Sequence, residues 1–295
     1  MTYDTSFSSS NSTIISVQNT PGQTGNGMAS FSSVGGVNIG GSIHVRSESE
    51  DPAPLCRLVC PLLFLLALIP GESLSITVSL NPTSVSPQAQ TTVTVTVLPA
   101  QSGRSITLQV QEAANSGGHQ HVGRPLGTFG SSSGTTDASG SFQTTYTASL
   151  FGGSEIALAT TTGGLGTTAS LTVAVPGLVQ LGSGANYNLV GATAAHQTNH
   201  FGTSAANAKL VARANQYAAS FPGSTLRYND QSLIQGALFD INANWITPHI
   251  EHRLGTNCDV SKSNVPSDRW SNLQQIFSAN GADFLDEGDH WHLRM

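Results

Sequence analysis

The chain has 295 residues, enough for two domains, of which only 9% are charged, well below the ~25% of ordinary globular proteins. Ser, Thr and Gly fill the gap, a texture common in secreted β-rich bacterial proteins. A net charge of -6 offers no electrostatic footing for nucleic acid, so no nucleic-acid partner is expected.

Residues 1–51 are Ser/Gly/Asn-rich with little apolar content and are expected to be disordered, because they bury too little to offset the entropy of folding. Residues 52–72 follow as an apolar run between Pro52 and Pro70 that begins Cys56-Arg57-Leu-Val-Cys60. Its length suits a signal-peptide core rather than a full membrane span. Export to the cell envelope or outside is the expectation. A short membrane anchor through residues 56–69 is the alternative, and a start codon assigned too far upstream would explain what precedes the run. Cleavage would leave Cys258 alone and remove any intramolecular disulfide.

From residue 73 to 176 the pattern alternates every second residue and is rich in β-branched side chains. Leu74–Leu80, Thr91–Val97, Ser105–Val110, Gly140–Ala148, Glu155–Ala159 and Ala169–Val175 read as strands. Pro82, Pro87, Pro99 and Gly134 punctuate them at the spacing of a β-sandwich. Asn81-Pro-Thr-Ser-Val-Ser-Pro87 and Thr136-Asp-Ala-Ser-Gly-Ser-Phe142 resemble bacterial Ig-like modules, which implies a spacing or adhesive role. One loop stands apart, Gly117-Gly-His119-Gln-His121, and with no acidic or cysteine partner nearby it is expected to be a solvated histidine loop. The other roles open to it are a second metal site or a cover over the next domain's cleft.

Residues 177–187 read as a Gly-containing linker, and 188–295 as a small α+β domain with helices on an antiparallel sheet. Thr203-Ser204 caps a helix whose apolar stripe runs Ala206, Leu210, Val211, Ala214, Tyr217 and Ala218 before Pro222-Gly223 stops it. Pro266-Ser-Asp268 opens a second, with Trp270, Leu273, Ile276 and Phe277 on one face. Strands are expected at Thr225–Tyr228, Ala237–Ile241, around Asp259-Val260, Ala282–Leu285 and His290–Arg294. The linker sets residues 182–295 apart as a fragment expected to fold alone.

The chemistry lies at the end of that domain. His252-Arg-Leu-Gly255-Thr-Asn-Cys-Asp259 and His290-Trp-His292 supply the nitrogen and carboxylate donors of a zinc site with one position left for water. Residues two apart in a strand face the same way, so His290 and His292 would share a cavity while Trp291 faces the core. Cys258 would point away from the site and pack as a small hydrophobe.

The H-x6-D and H-x-H pair resembles the LAS metallopeptidases, the group of lysostaphin, the D-Ala-D-Ala peptidases and the hedgehog fold, over about the last hundred residues. Gly255 gives the first motif a particular likeness to the D-Ala-D-Ala and murein endopeptidase branches. That resemblance implies His252, Asp259 and His292 as Zn2+ ligands and His290 as the catalytic partner. Carboxypeptidases of the group carry E-x-x-H, whereas Asp289 stands in that place here. The nearer likeness is therefore to penicillin-insensitive murein endopeptidases, implying a hydrolase of peptidoglycan peptides. The alternative is a non-catalytic surface adhesion or structural protein with a structural zinc.

Five further residues have less definite roles. His249 is a rival for the first ligand position, and Asp289 or Glu287 would orient a ligand histidine. His196 and His200 sit in a polar loop before the first helix, in reach of a substrate cleft.

Overall fold

The computed structural model describes residues 73–246 and 249–295 in full and, from residues 1–72, the backbone of four strands. These are β1 (Phe7–Ser8), β2 (Ile14–Gln18), β3 (Asn26–Phe31) and β4 (Ser42–Arg46), paired antiparallel in that order. Disorder was the expectation for this stretch. The β-branched pairs Ile14-Ile15 and Ile43-x-Val45 are the local strand formers that its polar composition obscures. The apolar 52–72 segment, with Cys56 and Cys60, lies outside the described residues, as does Thr247-Pro248.

Residues 73–295 form one compact unit. Its first part is a sandwich of two sheets, one wholly antiparallel and the other antiparallel but for one short edge pair. One sheet has the order β10 (Ser133–Thr135), β8 (Ser105–Glu112), β12 (Gly153–Thr161), β13 (Gly166–Val173) and β6 (Ser84–Val85). The other runs β5 (Ser75–Asn81), β7 (Gln90–Leu98), β11 (Ser141–Thr147) and β9 (Thr128–Phe129). The alternation that marked the strands also sorts their faces. Val93, Val95 and Val97 of β7 are 0% exposed and meet Ile106, Leu108, Ala159 and Leu171 of the facing sheet, while the intervening threonines look outward. Each such valine contributes roughly 1.5–3 kcal/mol by leaving water.

In the second part, a five-stranded sheet runs β15 (Tyr187–Leu189), β17 (Leu226–Tyr228), β18 (Asn257–Ser261), β20 (His290–Arg294) and β19 (Asp283–Asp286). Helices α1 (Ser204–Ser220) and α2 (Trp270–Ala279) cover one face. Leu210, Ala214 and Tyr217 from α1 and Leu273, Ile276 and Phe277 from α2 join Leu226, Tyr228, Val260 and Trp291 in a single core. Thr203 caps α1 as expected, its hydroxyl accepting from the Ala206 N–H at 3.1 Å.

Three expectations differ from what is observed. The sheet is mixed rather than antiparallel, because the three-residue β15 pairs in parallel with β17. Residues 237–241 form no strand. Gln235 and Gly236 take positive φ and break the backbone, so Ala237, Leu238 and Phe239 are buried as irregular chain. A short apolar run reads alike in a strand and in a buried loop.

The third concerns the linker. Residues 177–187 contain β14 (Leu178–Gln180), which pairs with β16 (Phe201–Thr203), and Leu181 is 4% exposed. The two parts of the unit are further joined by the Val175 N–H to Gln235 O at 3.0 Å and the Gly152 N–H to Gly236 O at 3.3 Å. A Cβ on Gly117 would lie 2.6 Å from Gly152 O within the sandwich and 3.0 Å from Ala237 Cβ across the junction, so the sandwich loop makes this approach only as glycine. A cut at residue 182 would strip β14 from its partner and leave these contacts open.

Candidate metal centre

The two halves of the candidate site are brought together by strand register. β18 and β20 pair so that Asp259 lies opposite His292 and Ser261 opposite His290. Because side chains alternate, these four share one face. Cys258, Val260, Trp291 and Leu293 take the other, all 0% exposed in the helix-covered core. Cys258 is thus buried as a small hydrophobe, as expected, and its burial pushes the thiol pKa well up.

His252 arrives from a 3-10 turn, Ile250–Leu254, that Gly255 terminates. Gly255 has φ +68, and a Cβ there would sit 2.2 Å from Leu178 Cδ2 and 2.9 Å from Gly202 Cα. The glycine of the first motif therefore has a backbone and a packing reason to be glycine. With the turn so fixed, His252 Nε2 lies 3.4 Å from Asp259 Oδ1, and His292 Nδ1 lies 2.9 Å from the same oxygen. The two imidazole rings stand nearly perpendicular with centroids 4.8 Å apart.

The second oxygen of Asp259 faces two more histidines. His290 Nε2 is 3.5 Å and His249 Nδ1 is 3.7 Å from Oδ2. Four of the chain's nine histidines thus surround one carboxylate that is 2% exposed. Burial by itself would raise the Asp259 pKa, but the nearby His252, the hydrogen bond from His292 and the charge of His290 hold it below the usual carboxylate range.

The hydrogen bond to Asp259 raises the His292 pKa against the opposing effect of burial. His290 is also raised, with burial outweighed by its hydrogen bond to Asp289 and by the Asp259, Asp289 and Glu287 charges. Burial, then the nearby His252, lowers His249.

The acidic neighbours fall differently from expectation. Asp289 Oδ1 lies 2.6 Å from His290 Nδ1 and is hydrogen-bonded to it, and Glu287 Oε2 stands 3.1 Å from His290 Nε2, so both neighbour His290 rather than His252 or His292. The groups at the outer nitrogen of His292 are Asn257 Nδ2 at 3.0 Å and Glu251 Oε2 at 3.5 Å. Glu251 is itself held by Arg294 at 2.8 Å. Its position beside His252 in sequence carries no sign of this, because the contact runs from the Ile250–Leu254 turn to β20. Behind the site, Asp230 is pushed up to about 6 by burial, in spite of the hydrogen bond it accepts from Asn199, with the Asp259 charge adding to the rise.

The remaining histidines among residues 73–295 also depart from solvated loops. His200 is 6% exposed and donates to Tyr228 O at 2.9 Å, facing the backbone. His119 is 1% exposed and His196 0%, and both converge with His121 on Asp240. Burial, reinforced by the charges of His196 and His121, pushes His119 down to about 3. Asp240 is the acidic partner that no local pattern points to, since it lies in irregular chain where a strand is expected.

His/Asp clusters able to hold a metal ion are therefore present. At Asp259 the donors that come together within reach of one ion are those of His249, His252 and Asp259, a group that does not include His292. His252 has both ring nitrogens buried without a hydrogen-bond partner, and its Nε2 lies 3.4 Å from Asp259 Oδ1, near the ~3.3 Å expected between ligands about 2.0 Å from a tetrahedral ion. A surface groove lined by Ser278, Gly281, Ala282, Asp283, Arg294 and Met295 adjoins the far end of β20 and includes none of these histidines.

No family model matches the chain, and no curated protein does. Among solved structures, it is similar to the Yersinia pseudotuberculosis adhesin InvE at 12% identity and TM-score 0.35, covering 85% of this chain and 84% of that one. A glycosyl hydrolase family 2 member from Bacteroides cellulosilyticus matches at 11% identity and TM-score 0.28 over 52% of this chain, which spans 19% of the hydrolase. The human F-spondin reeler domain matches at 17% identity and TM-score 0.22, over 34% of this chain and 88% of that one. At these scores the β-rich fold rests on the strand pairing described above.

Proposed function

We propose that the Asp259 centre is a catalytic zinc site and that the chain is an exported peptidase of the LAS type, cutting peptide cross-links of bacterial cell wall. One observation carries this most: His252 and His292 converge on one oxygen of Asp259 while a third histidine, His290, is held by carboxylates beside the other oxygen. His252, Asp259 and His292 would be the ligands, leaving the fourth position open. Zinc bound there would bring the pKa of a water toward neutrality and polarise an amide carbonyl.

The chain's own residues do the rest. Asp289 accepts from His290 Nδ1, which fixes the ring and leaves Nε2 facing the site. Nε2, 3.5 Å from Asp259 Oδ2, is thus placed to give a proton to the oxyanion or the departing nitrogen. Glu287 Oε2, 3.1 Å away, takes up or returns that proton. Glu251 and Asn257 hold the outer nitrogen of His292 and so orient the ligand ring.

The test uses the full chain, stripped with chelator, reloaded with zinc and presented with purified murein or a D-Ala-containing cross-linked peptide. Cleavage that needs zinc supports the assignment. His290→Ala is expected to keep its zinc and lose ~10²-fold or more in rate, whereas Asp259→Asn loses both. A folded, zinc-loaded chain that leaves every such substrate intact overturns it.

His249 favours a second reading, a non-catalytic structural site in an adhesion protein. Its Nδ1 stands 3.7 Å from Asp259 Oδ2 and would supply a fourth protein ligand, closing the site to water. His249→Ala then loses the metal, whereas under the peptidase assignment the metal stays.

A further inference from the structure

A second group of donors meets where the sandwich loop between β8 and β9 touches the C-terminal part of the unit. His119 Nδ1, His121 Nε2 and His196 Nε2 lie 2.8, 3.3 and 3.1 Å from one another around the triangle. Asp240 Oδ1 lies 3.6, 3.2 and 2.9 Å from the same three nitrogens in that order. All six edges are therefore close to the ~3.3 Å of a tetrahedron whose centre is about 2.0 Å from each corner.

We propose that His119, His121, His196 and Asp240 are the four ligands of a second, closed zinc site that pins the sandwich to the C-terminal domain.

Hydrogen bonds alone serve this group poorly. A neutral imidazole carries one N–H, so three ring nitrogens and a carboxylate oxygen aimed at one point leave lone pairs facing each other. A dication at the centre satisfies all four. Asp240 is 0% exposed, and its Oδ1 accepts no hydrogen bond. Its other oxygen accepts the backbone N–H of Trp245, which leaves Oδ1 as a single directed donor.

The shell around the four residues keeps them in place. Trp245 stacks on His119 at 4.0 Å and packs on His121 at 5.1 Å, and its indole N–H donates to Val122 O at 3.0 Å. Phe239 lies against His196 at 4.9 Å. His119 and His196 also form a backbone bridge, with the Gln120 N–H donating to Ala195 O at 2.9 Å. Four protein donors leave no place for water, so the role is structural. Two ligands come from the sandwich and two from beyond the 177–187 segment, which makes the ion a clasp between them.

This inference does not depend on the Asp259 assignment. Metal analysis of the full chain purified with zinc separates the two. Two zinc ions per chain are expected in the wild type, one in His121→Asn, one in Asp259→Asn and none in the double variant. A wild type with one zinc that His121→Asn removes would uphold the clasp while the Asp259 centre fails. A folded His121→Asn chain with undiminished zinc overturns the clasp.

Zinc titration of chelator-stripped Asp259→Asn gives a second measure, because its clasp ligands are untouched. One equivalent bound, with a rise in Tm, supports the site, and no binding by the folded variant overturns it. In the wild type substituted with cobalt, a closed site should give one tetrahedral spectral component unmoved by added azide. A spectrum in which every component shifts would refute closure.

Discussion

Trp291 separates the two histidines of the H-x-H motif and is 0% exposed on the core side of β20. It packs edge-on against Trp270 at 5.8 Å and Phe277 at 5.7 Å, with the Lys262 ammonium 5.0 Å from its ring. Trp291→Ala removes all of this and should cost about 3–5 kcal/mol, the usual range for an aromatic ring deleted from a core. Trp291→Phe should differ sharply. The indole Nε1 is buried without an acceptor, and an unpaired buried donor carries a penalty of ~1–3 kcal/mol that phenylalanine would relieve. Part of the lost ring contact is offset, leaving a net cost of roughly 1.5 kcal/mol or less. Urea denaturation followed by circular dichroism, at fixed free zinc because bound metal shifts the midpoint, measures both. The alanine variant should also bind zinc at Asp259 more weakly, since Trp291 anchors the strand that carries His290 and His292. Equal costs for Phe and Ala, or an Ala variant as stable as wild type, would refute this account of the core.

Arg124 is 4% exposed, donates to Phe151 O at 3.1 Å and Ser154 O at 2.7 Å, and faces Glu155, which also accepts from Tyr146. Arg124→Met leaves the Glu155 charge buried and uncompensated, so a loss of about 3–5 kcal/mol is expected by urea denaturation, partly restored by adding Glu155→Gln. Asp137 closes a turn: Ser139 donates to it from side chain and backbone, and Ser141 from its N–H, which lowers its pKa below the ordinary 3.8. A depressed folded pKa stabilises above the unfolded value, so the stability gap between wild type and Asp137→Ala should be full above about pH 5 and narrow as pH falls through and below 3.8. A gap that widens in acid would contradict the assignment.

The sandwich was legible because strands with one buried face announce themselves by alternation, as in Thr91–Val97. The same period placed Asp259, His290 and His292 on one face, since parity along β18 and β20 is a local property. What was illegible depends on chain segments distant in sequence. Asp240 is 119 residues beyond His121 by number, and only the packing of two loops brings their atoms within 3.2 Å. β14 and β15, three residues each, are too short to show a period, and Gly-Ser-Gly between them reads as a linker whether or not its flanks pair. Glu251 went unrecognised as the partner of His292 because its contact is also long-range.

The loop that carries His119 and His121 also limits how this protein could be recombined. A β-sandwich joined to its neighbour by a tether could be exchanged for another without cost at the junction. Here a replacement sandwich would have to bring Gly117 for the close approach to Ala237 and the histidine pair for Asp240. A generic unit spliced at residue 177 would leave Asp240 buried opposite missing partners, so inheritance of the two halves should be coupled.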